Sequence, residues 1–513
     1  MPLPTDGKNT LWPPAQDGAE DLALWAQWYS GQFQATQSVT PTTGSAPERL
    51  TGGYVHRHAA GSSAMTPQEQ PLHAPLAADI AMVSADLLFG EMVDLEVTKG
   101  NAKTQARLDE LLDLTNFHNT LLQGAEGTAS LGGVYLRASW DKDLWDVPFI
   151  SLAQADQAIP EFAWDRLVAV TLWKQLAEEN RVVWRHLERH ERQGDTAVIL
   201  HGLYRGTPNL LGQQVALDSR PETAGLQESV TLPQGFPGLA CYYVPNVRPN
   251  RRDPKSPLGR ADIQRSETVL DALDEVWSSL MRDFLFGRRR IIVPDGALDK
   301  AGQGRGAAKG FDPERSVFTE LEGIDPANGM KPEAVDFAIR TADHITAAMS
   351  LVEQIVSAAG YSPQTFGIRI EGSAESGTAL RFREQKTFRT VERKRRYWQQ
   401  AVAWAAQAMM VLDAQVFGRP NKLADVAVTW PEESTSPMAE AATIQALRQA
   451  EAISIEMAVR RMNPGQDDKW IEEEVERIQG ESGRLLPAPG QEDGGGGPPR
   501  EEEEEEPEPE GGV

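Results

Sequence analysis

The sequence predicts an α+β fold that is mainly helical, and two observations lead to this prediction. Apolar residues recur at three- and four-residue spacing over several long segments, which is typical of amphipathic helices. Between residues 133 and 206, segments rich in Val, Ile, Tyr and Trp alternate with turn residues, which is typical of β-strands. Residues 483–513 are runs of Gly, Pro and Glu that cannot build a core, and we expect them to be a disordered acidic tail.

The bulk composition limits the size and type of the protein. At 513 residues the chain is too long for one ordinary core, so about two to four structural units are expected. We expect no membrane-spanning helix, since no apolar run approaches about 18 residues. We also expect no secretory signal, because the N-terminus lacks a basic flank and an apolar segment. The single cysteine, Cys241, cannot form an internal disulfide, which suits assembly in a reducing cytosol.

Charge is segregated along the chain, so the net charge of −25 is a poor guide to its partners. From Glu492 to the end there are ten acids and one base, a net of −9. Ser376–Arg396 contains eight bases and two acids, a net of +6, and Arg288–Lys309 contains six bases and two acids, a net of +4. The acidic total therefore does not argue against a nucleic-acid partner.

The first 260 residues are predicted to form an N-terminal arm and one α+β domain. Residues 1–70 are rich in Pro, Gly, Ser and Thr, with one helix around Glu20–Phe33. Leucine spacing predicts further helices at residues 71–90 and at Asn101–Gln123. Strands follow after Gly124, and their segments are VYLRASW, LWDVPFISL, LVAVTLWKQL, RVVWRHLERHE and TAVILHGLYRG.

Two long helices around a small insert are predicted next. The first covers Ala261–Phe286, and the second begins at Pro332 and runs to about Ala359. Between them lie a short strand, IIVP, a Gly-rich polar insert and a second short strand near Ser316–Leu321. At about 1.5 Å per residue each helix would be roughly 40 Å long, so the pair is expected to form a hairpin-like projection.

A polar loop, YSPQTFGIRIEGSAESG, separates this projection from a third long helix. That helix is predicted from near Thr378 to about Val416, and its apolar face contains Phe388, Val391, Trp398, Val402, Met409 and Leu412. The rest of the chain is predicted to contain one strand, DVAVTW, and helices at Ser436–Ala458 and Asp467–Gln479.

The motifs of common enzymes and metal sites are not found in the sequence. No GxxxxGK[ST] loop for ATP phosphates occurs, and the glycines around residue 304 lie in a polar stretch typical of a flexible loop. His186 and His190 share a strand face but are too far apart for an easy shared metal, and HLERH does not fit the zincin patterns. Cys241 is predicted to be a buried small hydrophobic residue. We therefore expect a protein that is not an enzyme and that needs no cofactor or metal.

Several segments resemble the portal proteins of long-tailed double-stranded DNA bacteriophages. The helix–insert–helix–loop region carries the resemblance most clearly, in GRADIQRSETVLDALDEVWSSLMRDFLFGRRRIIVP, MKPEAVDFAIRTADHITAAMSLVEQIVSAAGY and GSAESGTALRFREQKT. Upstream, HAPLAADIAMVSADLLFGE, QGAEGTASLGGVYLRASWD and RHLERHERQGDTAVILHGLYRGT are also similar to the family. The similarity covers roughly residues 70–480.

The resemblance implies the portal architecture of wing, stem helices, β-containing clip and helical crown, assembled as a closed ring. In the virion this ring has twelve subunits and occupies one capsid vertex, having been assembled in the host cytoplasm. It would pass double-stranded DNA without sequence specificity, and dock terminase, the major capsid protein and a head-completion or adaptor protein. Such a ring is a heterologous assembly that closes on itself.

The resemblance also divides the chain into regions. The arm covers residues 1–70 and the acidic tail 483–513. The remaining regions are the wing (71–260), first stem helix (261–287), clip (288–331), second stem helix (332–360), channel loop (361–377), long helix with the returning strand of the wing (378–435) and crown (436–482).

Three groups of residues are candidate functional positions. By resemblance the channel loop faces DNA, with Gln364, Thr365, Arg369, Glu371 and Ser373. The clip would face terminase with Arg288, Arg289, Arg290, Lys300, Arg305 and Lys309. The basic face of the long helix either touches DNA or, as we prefer, pairs with acidic neighbours across the ring; its residues are Arg381, Arg383, Lys386, Arg389, Arg393 and Arg396.

Two further alternatives stay open. A minor head or scaffolding protein would share these partners but not the helix–insert–helix order, and a packaging nuclease or ATPase would need motifs that the sequence lacks. The Glu501–Glu506 run is expected to be a solubilising tail, with repulsion of DNA inside the head as the alternative.

Overall fold

The computed structural model describes residues 3–4, 6–14, 16, 18–32, 72–98, 100–286, 290–292, 333–335, 339–368, 377–419, 425–431, 437–450, 452–463 and 468–482. The predictions for residues 33–71, for the strand near Ser316–Leu321 and for the tail at 483–513 lie outside these residues. The chain divides into two compact units, residues 1–431 and 432–513.

Helices of the first unit fall largely where apolar periodicity predicted them. Their bounds are α1 (Ala19–Ser30), α2 (Leu76–Phe89), α3 (Ala102–Leu114), α4 (Phe117–Leu131), α5 (Glu267–Phe286), α6 (Thr341–Ala359) and α7 (Gly377–Gln415). Helix α7, with 39 residues, is roughly 60 Å long and has its predicted apolar positions from Val391 to Leu412 buried. None of the helices in the described residues is long and apolar enough to cross a membrane.

The strands of the first unit form antiparallel sheets. The largest has the order β1-β9-β8-β7-β6-β5, with β10 also paired to β8. A second sheet has the order β11-β3-β4, and two-strand pairs join β14 to β2 and β12 to β13. The bounds are β1 (Asp6–Leu11), β2 (Asp94–Val97), β3 (Gly133–Ser139), β4 (Phe149–Gln154), β5 (Ala158–Ala163), β6 (Arg166–Glu179), β7 (Val182–Gln193), β8 (Thr196–Thr207), β9 (Leu210–Val215), β10 (Ser229–Thr231), β11 (Cys241–Pro245), β12 (Arg290–Ile292), β13 (Glu333–Val335) and β14 (Val426–Thr429).

Four of the five predicted strand segments are confirmed, but in LWDVPFISL the strand begins only at Phe149, because the residues before it form turns. Tight turns connect β6, β7 and β8. The turn that joins β7 to β8 contains Gly194 in the left-handed conformation. Asn180 and Arg181, both left-handed, join β6 to β7 in the same way, since two-residue hairpin turns require positive φ. Together these hairpins place successive β-rich segments next to each other in one sheet.

The helix predicted at Asn101–Gln123 is in fact two helices, α3 and α4. The chain breaks at Thr115-Asn116, where Asn116 has a φ of 54° and cannot continue a right-handed helix. Asn tolerates this conformation better than most residues, because its short polar side chain can hydrogen-bond locally. The leucine spacing correctly predicted a helix on each side of the break. Because this spacing continues across Thr115-Asn116, it gave no sign that the helix is interrupted there.

The two predicted stem helices are both shorter than expected. Helix α5 begins at Glu267 instead of Ala261, because the preceding residues form turns and Arg265 has a φ of 74°. Helix α6 begins at Thr341 instead of Pro332, because Glu333–Val335 pairs with Arg290–Ile292 as a small antiparallel ladder. With 20 and 19 residues, the helices are each about 30 Å long, not 40 Å.

Two large hydrophobic clusters lie in the interior of the first unit, among smaller ones. One surrounds α7 and includes Leu108, Phe117, Leu121, Trp398 and Met409. The other brings α1, α2, α5 and α6 together, and its buried members include Trp25, Trp28, Ile80, Leu270 and Ile355. The C-terminal end of α6 and the beginning of the predicted channel loop are therefore held against the body of the unit.

The second unit is helical, as predicted, with one correction. Its helices are α8 (Pro437–Gln449), α9 (Ile455–Met462) and α10 (Asp468–Ser482). The helix predicted at Ser436–Ala458 is divided between α8 and α9, because the Ser454 side chain caps a new helix by accepting a hydrogen bond from the Met457 amide. The acidic helix predicted at Asp467–Gln479 corresponds to α10.

Candidate functional site

The start of the predicted channel loop, the segment before α5 and the middle of α7 meet in one buried polar cluster, here called the stem junction. Its members are Ser84 on α2, Asn246 after β11, Asp262 before α5, Tyr361 after α6 and Lys394 on α7. All five side chains belong to buried residues. The cluster therefore joins five separate parts of the chain at one point.

An ion pair between Lys394 and Asp262 is the centre of the stem junction. Lys394 Nζ lies 2.6 Å from Asp262 Oδ2, and the two side chains are 1% and 3% exposed. The ammonium group also donates to Ser84 Oγ at 2.6 Å and to Tyr361 Oη at 2.8 Å. With three donors and three acceptors, Lys394 has no unmet hydrogen bond.

The Asp262 carboxylate is equally well supplied with donors. Tyr361 Oη donates to Oδ2 at 2.9 Å, and Asn246 Nδ2 donates to Oδ1 at 2.7 Å. A buried charge is tolerated when it is paired and hydrogen-bonded in this way. The junction can therefore hold these segments in fixed positions, but it offers no free nucleophile or base for chemistry.

Electrostatics in the stem junction follow from its burial. Burial lowers the pKa of Lys394, and the Asp262 carboxylate counteracts this effect. The pKa of Tyr361 is raised well above its ordinary value by burial first and by the neighbouring Asp262 charge second. Tyr361 therefore stays protonated and continues to donate its hydrogen bond to Asp262.

Threonine and lysine side chains on α7 attach the start of the channel loop to that helix. Thr387 Oγ1 accepts a hydrogen bond from the Ser362 amide at 2.9 Å and lies 2.9 Å from Thr365 Oγ1. Lys386 Nζ donates to the Ser357 carbonyl at 2.5 Å and to the Ser357 hydroxyl at 2.7 Å. These contacts hold the end of α6 and the first turn of the loop along α7.

Gly360 ends α6 with a left-handed φ of 106°. The Gly360 carbonyl accepts a hydrogen bond from Thr390 Oγ1 at 2.7 Å. A Cβ added to Gly360 would lie only 2.8 Å from Thr390 Oγ1. Glycine is needed here for its conformation and for the close approach of α7.

Helix α5 is held by carboxylates along its length. Glu267 accepts from Trp25 Nε1 at 3.1 Å, and Asp274 accepts from the Ala74 amide at 2.9 Å. Farther along, Asp283 lies 3.0 Å from His344 Nε2 on α6, and this interaction lowers the pKa of Asp283. The two predicted stem helices therefore contact each other, as the hairpin-like projection requires.

The predicted channel-loop residues are described only at the start of the loop. Gln364 and Thr365 lie in a 3-10 turn over Pro363–Phe366, where both are partly buried. Arg369, Glu371 and Ser373 lie outside the described residues. Thr365 Oγ1 lies 2.9 Å from Thr387 Oγ1 on α7, so this side chain helps to attach the loop to the helix.

Few of the predicted clip residues can be placed. The backbone of Arg290 lies on β12, opposite Val335. The other predicted clip positions, Arg288, Arg289, Lys300, Arg305 and Lys309, lie outside the described residues.

The structure describes the side chains of four of the six residues on the predicted basic face of α7. Arg389, Arg393 and Arg396 are exposed on the helix. The ammonium group of Lys386 is bonded to Ser357, as described above. The helix backbone includes Arg381 and Arg383, whose side chains lie outside the described residues.

Lys394 is the residue that sequence reasoning missed. It lies in the basic run Arg393–Arg396 and was counted there only as charge. Its position offered a signal, since Val391, Lys394 and Trp398 follow the three- and four-residue spacing of the apolar face. A lysine on the apolar face of a helix is expected to be buried with a carboxylate partner.

The structure also places the cysteine and the histidines that the sequence analysis considered. Cys241 is buried, and burial raises its pKa far above the ordinary value, so its thiol is unreactive. His186 was predicted to lie too far from His190 to share a metal, and its Nε2 lies 3.1 Å from His201 Nδ1 on the neighbouring strand. Across the described residues, no group of His, Cys, Asp and Glu has a geometry that could hold a metal ion.

Comparisons with known proteins agree with the resemblance seen in the sequence. A family model described as "Phage portal protein, SPP1 Gp6-like" matches residues 68–485. No curated protein matches the sequence. Among solved structures, the chain is similar to one in the virion of a native gene transfer agent (GTA) particle, with 13% identity and a TM-score of 0.41, covering 89% of this chain and 96% of that one.

Chains from the neck of GTA particles are similar to the same degree. For the empty particle computed with C6 symmetry, the identity is 14% and the TM-score 0.40, over 88% of this chain and 94% of that one. For the native particle computed with C12 symmetry, the values are 14% and 0.40, over 75% and 88%. The family model, which covers most of the sequence, is the finding that identifies the protein: this chain belongs to the phage portal protein family.

Proposed function

We propose that this chain is a structural, non-catalytic subunit of a closed ring at one vertex of the virion capsid, through which genomic double-stranded DNA is packaged and later ejected. The match to the portal family over residues 68–485 is the observation that carries the proposal. The order of α5, a short β ladder, α6, a polar loop and α7 supports it, because this is the order expected of stem, clip, stem, channel loop and wing helix.

We propose that the chain has the wing, stem, clip and crown regions of a portal subunit. Residues 71–260 and 378–435 form the wing, and residues 436–482 form the crown. Residues 261–287 and 332–360 form the stem on either side of the clip at 288–331. We propose that the ring has twelve subunits in the virion and is assembled in the host cytoplasm.

The channel loop, residues 361–377, is proposed to face the DNA. A conduit must let DNA slide, and every lysine or arginine contact with a phosphate releases counterions and adds affinity. The proposed DNA-facing side chains Gln364, Thr365, Arg369, Glu371 and Ser373 are polar and of mixed charge, which suits weak and transient contact. The anchoring of Ser362 and Thr365 on α7 supports this role, because it gives the loop a fixed base.

The clip and the basic face of α7 are proposed to bind partners. The clip segment Arg288–Lys309, with its net charge of +4, is proposed to dock terminase and the head-completion protein. The major capsid protein is the proposed partner at the vertex. For Arg389, Arg393 and Arg396 we favour acidic groups of the neighbouring subunit over DNA, since the chain outside its basic segments is strongly acidic.

Electron microscopy of the purified chain tests the proposal. We expect rings with a central channel wide enough for a DNA duplex, with a mass that corresponds to a closed oligomer by mass photometry. A minor head or scaffolding protein, the main alternative, would form no channelled ring. Monomers with ATPase or nuclease activity would contradict both ideas.

A further inference from the structure

Arg260 is a buried arginine whose side chain is poorly satisfied. It lies two residues before Asp262, where its amide donates to the Val247 carbonyl at 3.2 Å and its own carbonyl accepts from Asn246 Nδ2 at 3.0 Å. The residue is only 6% exposed, yet its Nε has no hydrogen-bond partner in the described part of the chain. Hydrogen bonds therefore fix the backbone of Arg260, while its Nε–H group lacks an acceptor in the described residues.

Two further arginines lie around this guanidinium group. Arg393 is next to Lys394 on α7, and the ion pair of Lys394 with Asp262 brings that part of the helix against the segment containing Arg260. Burial is the largest cause of the lowered pKa of Arg260, and the positive charges of Arg251 and Arg393 lower it further. We call Arg251, Arg260 and Arg393 the arginine cluster.

The charge of the arginine cluster is not balanced within the described residues. Asp262 is the nearby carboxylate that favours the charged form of Arg260, but its oxygens already accept from Lys394, Tyr361 and Asn246. In the described part of the chain, neither Arg251 nor Arg393 forms an ion pair. Arg251 and Arg393 are exposed, but Arg260 is buried, and a buried charge that lacks a partner is costly. An anion from outside this chain would therefore be favoured next to Arg260.

We propose that the arginine cluster receives a carboxylate side chain from a second copy of this chain at the subunit interface of the ring. This inference rests on the proposed ring function. A carboxylate fits because its two oxygens match the planar donors of arginine. Charge complementarity favours the second copy, since the chain carries 75 acids against 50 bases.

A DNA phosphate is the competing anion, and two features disfavour it. Arg260 is 94% buried, which suits a single inserted side chain better than the outside of a duplex. A deep phosphate site would also hold DNA in place, because each such contact adds affinity, and a conduit must avoid this.

The test uses the full chain with Arg260→Gln, Arg393→Gln and, as a matched control, Arg192→Gln, which removes an exposed charge on β7. Mass photometry over a dilution series gives the concentration at which rings fall apart. We expect both cluster variants to raise this concentration at least tenfold, because truncating one partner of a buried charged pair speeds dissociation. We expect Arg192→Gln to behave as the wild type does. Since Arg393 is exposed, its variant tests the idea even if Arg260→Gln fails to fold.

Binding of a linear DNA duplex, measured in parallel on the same samples, separates the two anions. The inference is overturned if both variants form rings at wild-type concentrations. It is also overturned if ring stability is unchanged and only DNA binding falls, because the ligand would then be a phosphate. If the wild-type chain forms no rings, the proposed function fails and this inference fails with it. If wild-type rings form normally but the cluster variants lose none of their stability, only this inference fails.

Discussion

The stem junction and the large β-sheet both bury charged groups, but they do so in different ways. In the stem junction, Lys394 and Asp262 come from parts of the chain 132 residues apart. In the large sheet, Glu188 on β7 lies 2.8 Å from His190 Nε2 on the same strand and 2.8 Å from Arg137 Nη1 on β3 of the second sheet. The Arg137 charge and the hydrogen bond with His190 outweigh the effect of burial and hold the pKa of Glu188 well below the usual range.

The sheet also contains a buried pair of imidazoles. His186 on β7 lies 3.1 Å from His201 on β8, with the rings stacked at 5.3 Å between centroids. Burial is the main cause that lowers the pKa of His186 to about 4, with the His201, Arg137 and Lys174 charges adding to it and Glu188 opposing it. At neutral pH this pair is uncharged.

The difference shows two uses of buried polar groups. Strands β7 and β8 are already joined by a continuous backbone ladder, so the polar groups on them do not decide where the strands lie. The segments at the stem junction share no such ladder, so the ion pair and its hydrogen bonds define their relative positions. We therefore expect the junction to control stability at any pH, and the sheet to control how stability changes with pH.

The largest expected effect comes from Lys394→Met, which would break the stem junction. It leaves the Asp262 carboxylate buried without its cation, which costs about 3–5 kcal/mol of the free energy of unfolding. Urea denaturation of the purified protein at pH 7 measures this loss.

Two controls show whether the ion pair is responsible for the loss. Lys386→Met removes an exposed lysine two turns earlier on the same helix, and within the described residues its ammonium group is bonded only to Ser357, so its cost should stay below about 1 kcal/mol. Combining Lys394→Met with Asp262→Asn removes both charges and should recover part of the stability. Equal losses for Lys394→Met and Lys386→Met would show that the junction is not decisive.

A smaller effect is expected in the sheet, and it depends on pH. His186 has a folded pKa of about 4, below its ordinary value of 6.5, so the unfolded chain binds the proton more readily. Stability is therefore full above about pH 6.5 and falls as the pH decreases toward 4, by about 2 kcal/mol between pH 7 and pH 5. Burial is also the main cause that lowers the pKa of His201, so His201 likewise makes the protein less stable as the pH decreases.

Urea denaturation at pH 7, 6 and 5 measures the slope, and His186→Phe is the control. Replacing the imidazole by a ring that does not titrate should flatten the dependence of stability on pH, whatever it does to stability at pH 7. A slope that is the same in wild type and His186→Phe would assign the pH dependence to other groups.

The smallest effect tests the backbone at the edge of the stem junction. Gly360→Ala places a Cβ in a left-handed position 2.8 Å from Thr390 Oγ1, at a cost of about 1–2 kcal/mol. Gly367→Ala is the matched control, because Gly367 is also left-handed, with a φ of 73°, but has no atom within 4 Å of its Cβ position. Hydrogen exchange at residues 361–368 should increase more for Gly360→Ala, and a larger increase for Gly367→Ala would contradict the proposed close contact with α7.

Much of the fold could be predicted because its signals are local. The apolar face of α7 from Val391 to Leu412 and the strands β6, β7 and β8 follow directly from side-chain periodicity. The resemblance to the family also rests on local sequence, because the helix, insert, helix, loop and long helix follow one another in order from residue 261 to residue 396. Periodicity could not place the helix ends, because Asn116 and Arg265 adopt left-handed conformations that the spacing of apolar residues does not reveal.

By itself, then, the sequence determined the α+β class, the long helices, the segregation of charge and the membership of the portal family. Only the tertiary structure decided which charges are buried. Lys394 lies beside three other bases in the sequence, yet it alone of Arg393–Arg396 is buried in an ion pair with Asp262. The reason is that the free energy of a buried charge depends on partners brought from distant segments, and such partners are not visible in local spacing.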